Sequence, residues 1–363
     1  VRILQISSAS TFGGGERHFV DLCRGLDSLG HDVFVAIRPT CSWRERLDFL
    51  PRDRFLEVSI RNSFGMLSAK KIARFAARNR IDIIHAHLGR DYITAGIAAR
   101  SVGTAKLVIT RHVMFPMKSY HRIALSNVDA AIGVSPAVTE RLRMIFRYDR
   151  VHTIPNGISF DDLQVSHAAG AEFRRYHAIP DDAVVIANIG ELRLQKGQRD
   201  LVLAANELAK DHDGLHFIIA GEDHTLDGRF RRELRRLVRV LGLEERFLFL
   251  GWLDDIRPLL AATDIFVSPS HSESFGLAIL DAMAAGRAVV ATETDGAKEL
   301  LGGLADLAAI RDPLDLAAKI DPLISDGSKR DELGSKLRAS AEERFGIEKM
   351  INATDRLYRE LVK

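Results

Sequence analysis

The chain has 363 residues, 46% of them hydrophobic and 28% charged, which gives enough length for two domains and the composition of a water-soluble globular protein. No apolar run approaches the roughly 20 residues of a membrane-spanning helix, and the opening VRILQISS is too short and too soon polar for a secretory signal, so a cytoplasmic location is expected. Cys23 and Cys41, the 2 cysteines, exclude a disulfide framework and a four-thiolate metal centre. The net charge of +2 conceals an asymmetry: residues 1–165 carry 24 Lys and Arg against 15 Asp and Glu, and the remainder 27 against 34. A basic first half suits an anionic partner, such as a phosphorylated acceptor or an acidic membrane face.

In chain order, Arg2 to Ser7 is an apolar strand, Phe12-Gly13-Gly14-Gly15 turns it into a helix, and Gly30 stops that helix near Leu29. Val33 to Ile37 follows as a second strand. The opening resembles a dinucleotide-binding unit, but His18 stands where its third glycine belongs and no acid ends the second strand. A nicotinamide enzyme is therefore disfavoured. The glycines serve either a tight turn or close backbone approach to a ligand. Ala69 to Asn79 reads as a basic amphipathic helix, solvated or lying on a membrane surface. Strands follow at Asp82–His87 and Leu107–Arg111, the latter ending at His112, and Val113–Arg122 is a loop mixing apolar residues with bases.

His85 and His87 share one face of a strand, with either a structural or a functional role; no third ligand for them is visible in the sequence, and no metal site is expected. Asp129–Ser135 and Val151–Pro155 complete the first sheet. The polar segment Ser159–Asp181 is the expected connection to a second domain, which restarts at Ala183–Ile189 with Gly190 and Gly197 flanking ELRLQK. The expected domains are 1–165, 166–345 and a terminal helix, 346–363, packing back toward the first. Arg229–Arg239 is an Arg-rich helix, but without interleaved aromatics in an acidic half it reads as solvated, so no nucleic-acid partner is expected.

The most informative stretch runs from Ser268 to Leu301. A strand ends in a turn containing Glu273, Ser274, Phe275 and Gly276, and a helix begins at Leu277. In a parallel sheet that places backbone NH groups and a helix dipole where they favour an anion. A carboxylate there would repel a phosphate, so Glu273 is better suited to accept hydrogen bonds from hydroxyls, with Asp281 a second acceptor. Phosphate donors between hydroxyl acceptors suit a sugar nucleotide.

With ESFGLAILDAMAAGRAVVAT read beside the Gly14-Gly15 loop, GHDV, DIIHAH, DAAIGVS, IPNG and the Lys196-Gly197 step, the chain resembles the retaining glycosyltransferases of family 4. The resemblance implies the α/β GT-B fold, two Rossmann-like domains facing across a deep cleft, and a hexosyltransferase using a UDP-, GDP- or ADP-sugar. Glu273 matches the first acid of the family's paired-acid motif, which contacts the donor sugar; the NH groups of Phe275, Gly276 and Leu277, with Ser274 beside them, would meet sugar or phosphate oxygens. The second acid of the motif, usually Glu and facing the ribose, is Asp281 here. Lys196 matches the lysine that neutralises the diphosphate. The arginine usually five residues before it is replaced by Glu191, with Arg193 a candidate substitute. His112 matches a histidine close to the anomeric centre, and Gly14 and Gly15 the loop facing the diphosphate. The resemblance implies neither cofactor nor metal, and an acceptor that is a glycan, lipid-linked or phosphorylated, in lipopolysaccharide or glycolipid synthesis on the cytoplasmic face of a membrane. A nucleotide-sugar epimerase or hydrolase on the same fold, and an inactive nucleotide-sugar-binding protein, are the competing expectations.

Overall fold

A computed structural model describes residues 1–60 and 65–363. They divide into two compact units, Val1–Gly157 with Ile347–Lys363, and Ile158–Gly346. The expected boundary after residue 165 thus falls eight residues earlier, after Gly157. The polar segment expected to be a connection belongs to the second unit. Its helix His167–Tyr176 lies against helix Arg257–Ala262, where a Cβ on Gly170 would fall 2.7 Å from the Ala261 backbone. Arg174 then ties this helix down, donating to the Ala262 carbonyl at 2.8 Å and to Asp264 at 2.8 Å.

The first unit is built on seven parallel strands: β1 (Arg2–Ser7), β2 (Asp32–Ile37), β3 (Phe55–Glu57), β4 (Ile83–Ala86), β5 (Lys106–Arg111), β6 (Ala130–Gly133) and β7 (Val151–Thr153), in the order β3-β2-β1-β4-β5-β6-β7. The strands are apolar on both faces, as a sheet covered by helices on each side requires. Leu4, Ile6, Ile84 and Ala86 face one core, and Ile3, Val33, Val35, Ile83 and Val108 the other. On that second face, the carboxyl ends of the central strands turn polar, with Gln5, His85 and Thr110 all buried. Helices Gly14–Ser28 and Ile347–Leu361 cover this face, and they touch at Gly25, which faces Ile351. His31 bonds Asp355 at 2.7 Å, so the end of the chain is part of this unit.

The second unit carries six parallel strands: β8 (Val184–Ile189), β9 (Leu215–Ala220), β10 (Phe247–Leu250), β11 (Ile265–Ser268), β12 (Ala288–Thr292) and β13 (Leu307–Ala308), in the order β10-β9-β8-β11-β12-β13. In both units the order reverses beside the first strand, between β1 and β4 and between β8 and β11. Loops leaving the carboxyl ends of two such strands diverge to opposite faces and open a crevice, where ligands of doubly wound sheets bind.

Candidate functional site

At the β8/β11 reversal, two loops are locked together. Gly197, at φ +67°, occupies a conformation natural to glycine, and a Cβ there would fall 1.8 Å from the Pro269 carbonyl oxygen. The His271 NH donates to the Gln195 carbonyl at 2.8 Å, and the His271 ring pairs with Asp200 at 2.7 Å. This stitching brings Lys196 Nζ to 2.6 Å from Glu273 Oε2, with Ser270 Oγ on the same carboxylate oxygen at 3.4 Å. Side-chain exposures of 26% for Lys196 and 15% for Glu273 leave both ions partly open to solvent. The Lys196 stem runs over Gly190.

Glu273 is followed by a helix start. Gly276, at φ +98°, precedes helix Leu277–Ala284, whose first NH groups have no acceptor within the helix. Phe275 anchors the turn from below, buried edge-on against Phe345 at 5.6 Å. A second helix, Asp295–Leu301, buttresses it: the Gly296 NH donates to the Glu273 carbonyl at 2.9 Å, and a Cβ on Gly296 would fall 2.5 Å from the Phe275 carbonyl oxygen. Asp281 lies in the first of these helices at 4% exposure, behind Leu277. Arg193 is turned onto Glu191 at 3.1 Å, so the carboxylate standing where the family has an arginine is neutralised by the proposed substitute.

The β1/β4 reversal in the first unit has the opposite chemistry. Gly14 opens helix Gly14–Ser28, and Gly15 faces the His112 ring, with its Cβ position 4.0 Å from Cγ. His112 Nε2 stands 3.5 Å from His87 Nδ1, and the His18 ring lies 4.7 Å from that of His112. His87 Nε2 bonds Gln5 Oε1 at 2.8 Å, Gln5 Nε2 donates to the Tyr358 hydroxyl at 3.1 Å, and Tyr358 bonds His85, whose other nitrogen meets Thr110 at 2.7 Å. Burial holds these imidazoles neutral: it pulls His18 down to about 4, and pulls His85, His87 and His112 well below the ordinary histidine range, with repulsion from neighbouring rings adding to the shift. Nearby, Asp91 accepts from the Ser8 NH at 2.9 Å and from its hydroxyl, and burial raises its carboxyl to about 6.

The profile of the glycosyl transferases group 1 matches residues 171–340, and that of glycosyltransferase family 4 matches residues 12–162. The chain belongs to the GT-B glycosyltransferases. A lipopolysaccharide core biosynthesis glycosyltransferase, LpsE of Rhizobium meliloti, is 27% identical over 94% of each chain. The N-acetyl-α-D-glucosaminyl L-malate synthase of Bacillus anthracis is 25% identical over 99% of this chain and 97% of its own. Among solved structures, Anabaena HepE in complex with UDP superposes with a TM-score of 0.88 at 22% identity, over 99% of this chain and 100% of that one. This likeness bears on the fold.

For this glycosyltransferase, the structure brings Glu273 and Lys196 together, sets Ser274, Phe275, Gly276 and Leu277 in one turn, and places His112 against Gly15. Sequence reasoning missed Gln5, Tyr358 and Gly296, and it noticed His18 only as the residue that breaks the dinucleotide pattern. One signal was available. His18 stands three and four residues after Gly15 and Gly14, on the helix face that those glycines share. Nor did the paired histidines show their third neighbour: His85 turns to Tyr358 and Thr110, and His18 and His112 gather at His87 instead.

Proposed function

We propose that the chain transfers a hexose from a UDP-sugar, with retention of configuration, to a lipid-linked or otherwise anionic glycan at the cytoplasmic face of a membrane. The observation that carries this reading is the Lys196–Glu273 pair at 2.6 Å beside a helix start. In the bare protein each ion satisfies the other. A bound donor gives each a separate partner: the diphosphate takes the ammonium and the helix-start NH groups, and the sugar hydroxyls donate to Glu273. Arg193 lies on the same loop as Lys196 and would exchange Glu191 for phosphate oxygens.

In the transfer, the bond from the anomeric carbon to the diphosphate breaks while the acceptor oxygen attacks from the same side. The departing phosphate oxygen takes the acceptor proton. The protein has no bond to form; it holds charge in place and excludes water. A neutral His112 suits contact with a sugar hydroxyl better than with phosphate. Uracil as the base of the donor is supported by HepE, which was solved with UDP and with UDP-glucose, and an envelope-lipid acceptor by the likeness to LpsE. The membrane face is supported by the basic first half and by exposed Phe115 and Ile123 close to Lys118 and Arg122. No described helix is long and apolar enough to cross a bilayer.

The test is transfer from UDP-hexose to a lipid-linked acceptor, with the product anomer read by NMR. Retained configuration is expected. An inverted anomer overturns the mechanism. UDP release without any acceptor would replace transfer by hydrolysis, and conversion of the UDP-hexose to an isomeric UDP-sugar would replace it by epimerisation.

A further inference from the structure

We propose that His18, His87 and His112 form a binding site for a zinc-class transition-metal ion. One ring nitrogen from each lies within 4.8 Å of the other two. The ring centres are mutually 4.7, 5.6 and 5.8 Å apart. A tetrahedral ion with metal–nitrogen bonds of about 2.0–2.1 Å sets its ligand nitrogens about 3.3 Å apart. His112 Nε2 and His87 Nδ1, at 3.5 Å, already have nearly that spacing. Small rotations of the His18 ring would close the remaining edges.

The surrounding hydrogen bonds fix which nitrogen of His87 faces the centre. Gln5 donates through Nε2 to the Tyr358 hydroxyl, so its carbonyl oxygen faces His87 and must accept from Nε2–H. The lone pair of His87 therefore sits on Nδ1 and points at His112. A ligating histidine whose other NH is held by a carbonyl is the usual supporting arrangement of protein metal sites. His85 has no such capacity, because both its nitrogens are engaged, by Tyr358 and Thr110.

His18 supplies the independent sign of a missing partner. It is 5% exposed, and among the described residues neither ring nitrogen meets a partner in hydrogen-bond geometry, although the Asn156 side chain approaches closely enough to favour the protonated ring. Buried polar atoms of this kind are costly and rare without a ligand. Three neutral imidazoles, with neither carboxylate nor thiolate in the set, suit zinc, cobalt, nickel or copper and not magnesium or calcium. Three protein ligands leave a fourth position for water or a substrate oxygen. The consequence for transfer rests on the proposed role of His112: a metal that takes its lone pair withdraws the ring from the donor sugar, so the ion acts as an inhibitor.

The experiment titrates the chelator-stripped full chain with cobalt(II) alone and follows the visible absorption of imidazole-bound tetrahedral cobalt. One equivalent is expected, displaced by zinc. His18→Gln should weaken uptake at least about 100-fold, and Gln5→Leu, which frees the His87 tautomer, about 10- to 100-fold. Absence of saturable uptake, or His18→Gln binding with unchanged affinity, overturns the site. Should that variant not fold, imidazole nitrogen NMR of the unaltered protein decides: zinc must move the signals of His18, His87 and His112 and leave those of His85. Zinc should also suppress transfer from UDP-hexose; binding without suppression would uphold the site and overturn the assignment of His112 to the reaction.

Discussion

The two crevices lie at equivalent places in two similar sheets, yet one is ionic and the other is neutral. In the second unit, Lys196 and Glu273 come from loops, stay partly solvated and form an ion pair. In the first, buried Gln5, His18, His85, His87 and Tyr358 and half-buried His112 are drawn together from five separate segments. Burial explains the difference. A charge beneath solvent needs a counter-ion or changes its protonation state, and the histidines, packed among their own kind, become neutral. The ionic crevice keeps its charges as a pair, and the neutral one keeps its lone pairs.

The largest expected effect breaks the ionic side. Glu273→Ala removes the hydroxyl acceptor and releases Lys196 from its partner, and transfer should fall about 1,000-fold, the scale of losing one electrostatic contact made at the transition state. Steady-state kinetics measure it, and the thermal midpoint should hold, because both side chains are partly exposed. A fully active variant removes Glu273 from the site.

The neutral side is broken by acid. A histidine with a depressed native pKa binds fewer protons when folded than when unfolded, so its stabilisation is complete above about pH 6.5 and is lost as pH falls toward the native value. For His18, from 6.5 to about 4, the loss is about 3 kcal/mol at pH 4. Asp91, raised to about 6, works in the opposite sense and offsets roughly one histidine. His85, His87 and His112 remain, all depressed, so a net loss of stability is expected as pH falls from about 7 to about 4, read from denaturant midpoints. A first unit equally stable at both values would mean that the rings are not held neutral.

A smaller loss is expected when the network is cut at its far end. Tyr358→Phe leaves Gln5 Nε2 and His85 Nδ1 buried without partners and should cost about 2 kcal/mol. Denaturant unfolding followed by circular dichroism measures it; an unchanged midpoint would show that the hydroxyl holds nothing.

How much of each crevice was legible in the sequence follows from the same contrast. Glu273 to Asp281 is contiguous, and strand, turn, glycine and helix follow one another, so the local rules place the turn and its acids. The Lys196–Glu273 pair is 77 residues apart, and only the family resemblance suggested that the two share a site. Gln5 and Tyr358 are 353 residues apart, and no periodicity links a strand residue to one on the last helix. The longer strands of both sheets were readable because parallel strands buried on two faces are apolar throughout, whereas the short edge strands β3 and β13 were not read. The end of the first unit was not, because Ser159–Asp181 is polar along its length, and its burial at Gly170 depends on one glycine facing Ala261.

The smallest expected effect sharpens the ionic side from within. Asp281 is 4% exposed and lies one turn into the helix that Leu277 opens, deeper than Glu273 and a methylene shorter than the acid its position usually carries. In the proposed donor complex Asp281 faces the ribose, which binds alike in ground and transition states. Its loss should therefore act on affinity and spare turnover. Asp281→Ala is expected to weaken UDP binding about 10-fold by calorimetry, about 1.4 kcal/mol, with kcat at saturating donor unchanged. Asp281→Glu, with the longer reach, should bind UDP at least as tightly as the parent. If Asp281→Ala instead lowers kcat and leaves UDP affinity intact, Asp281 supports the Glu273 turn and does not touch the ribose, and the nucleotide must be held by the helix-start NH groups and Lys196 without a second acid.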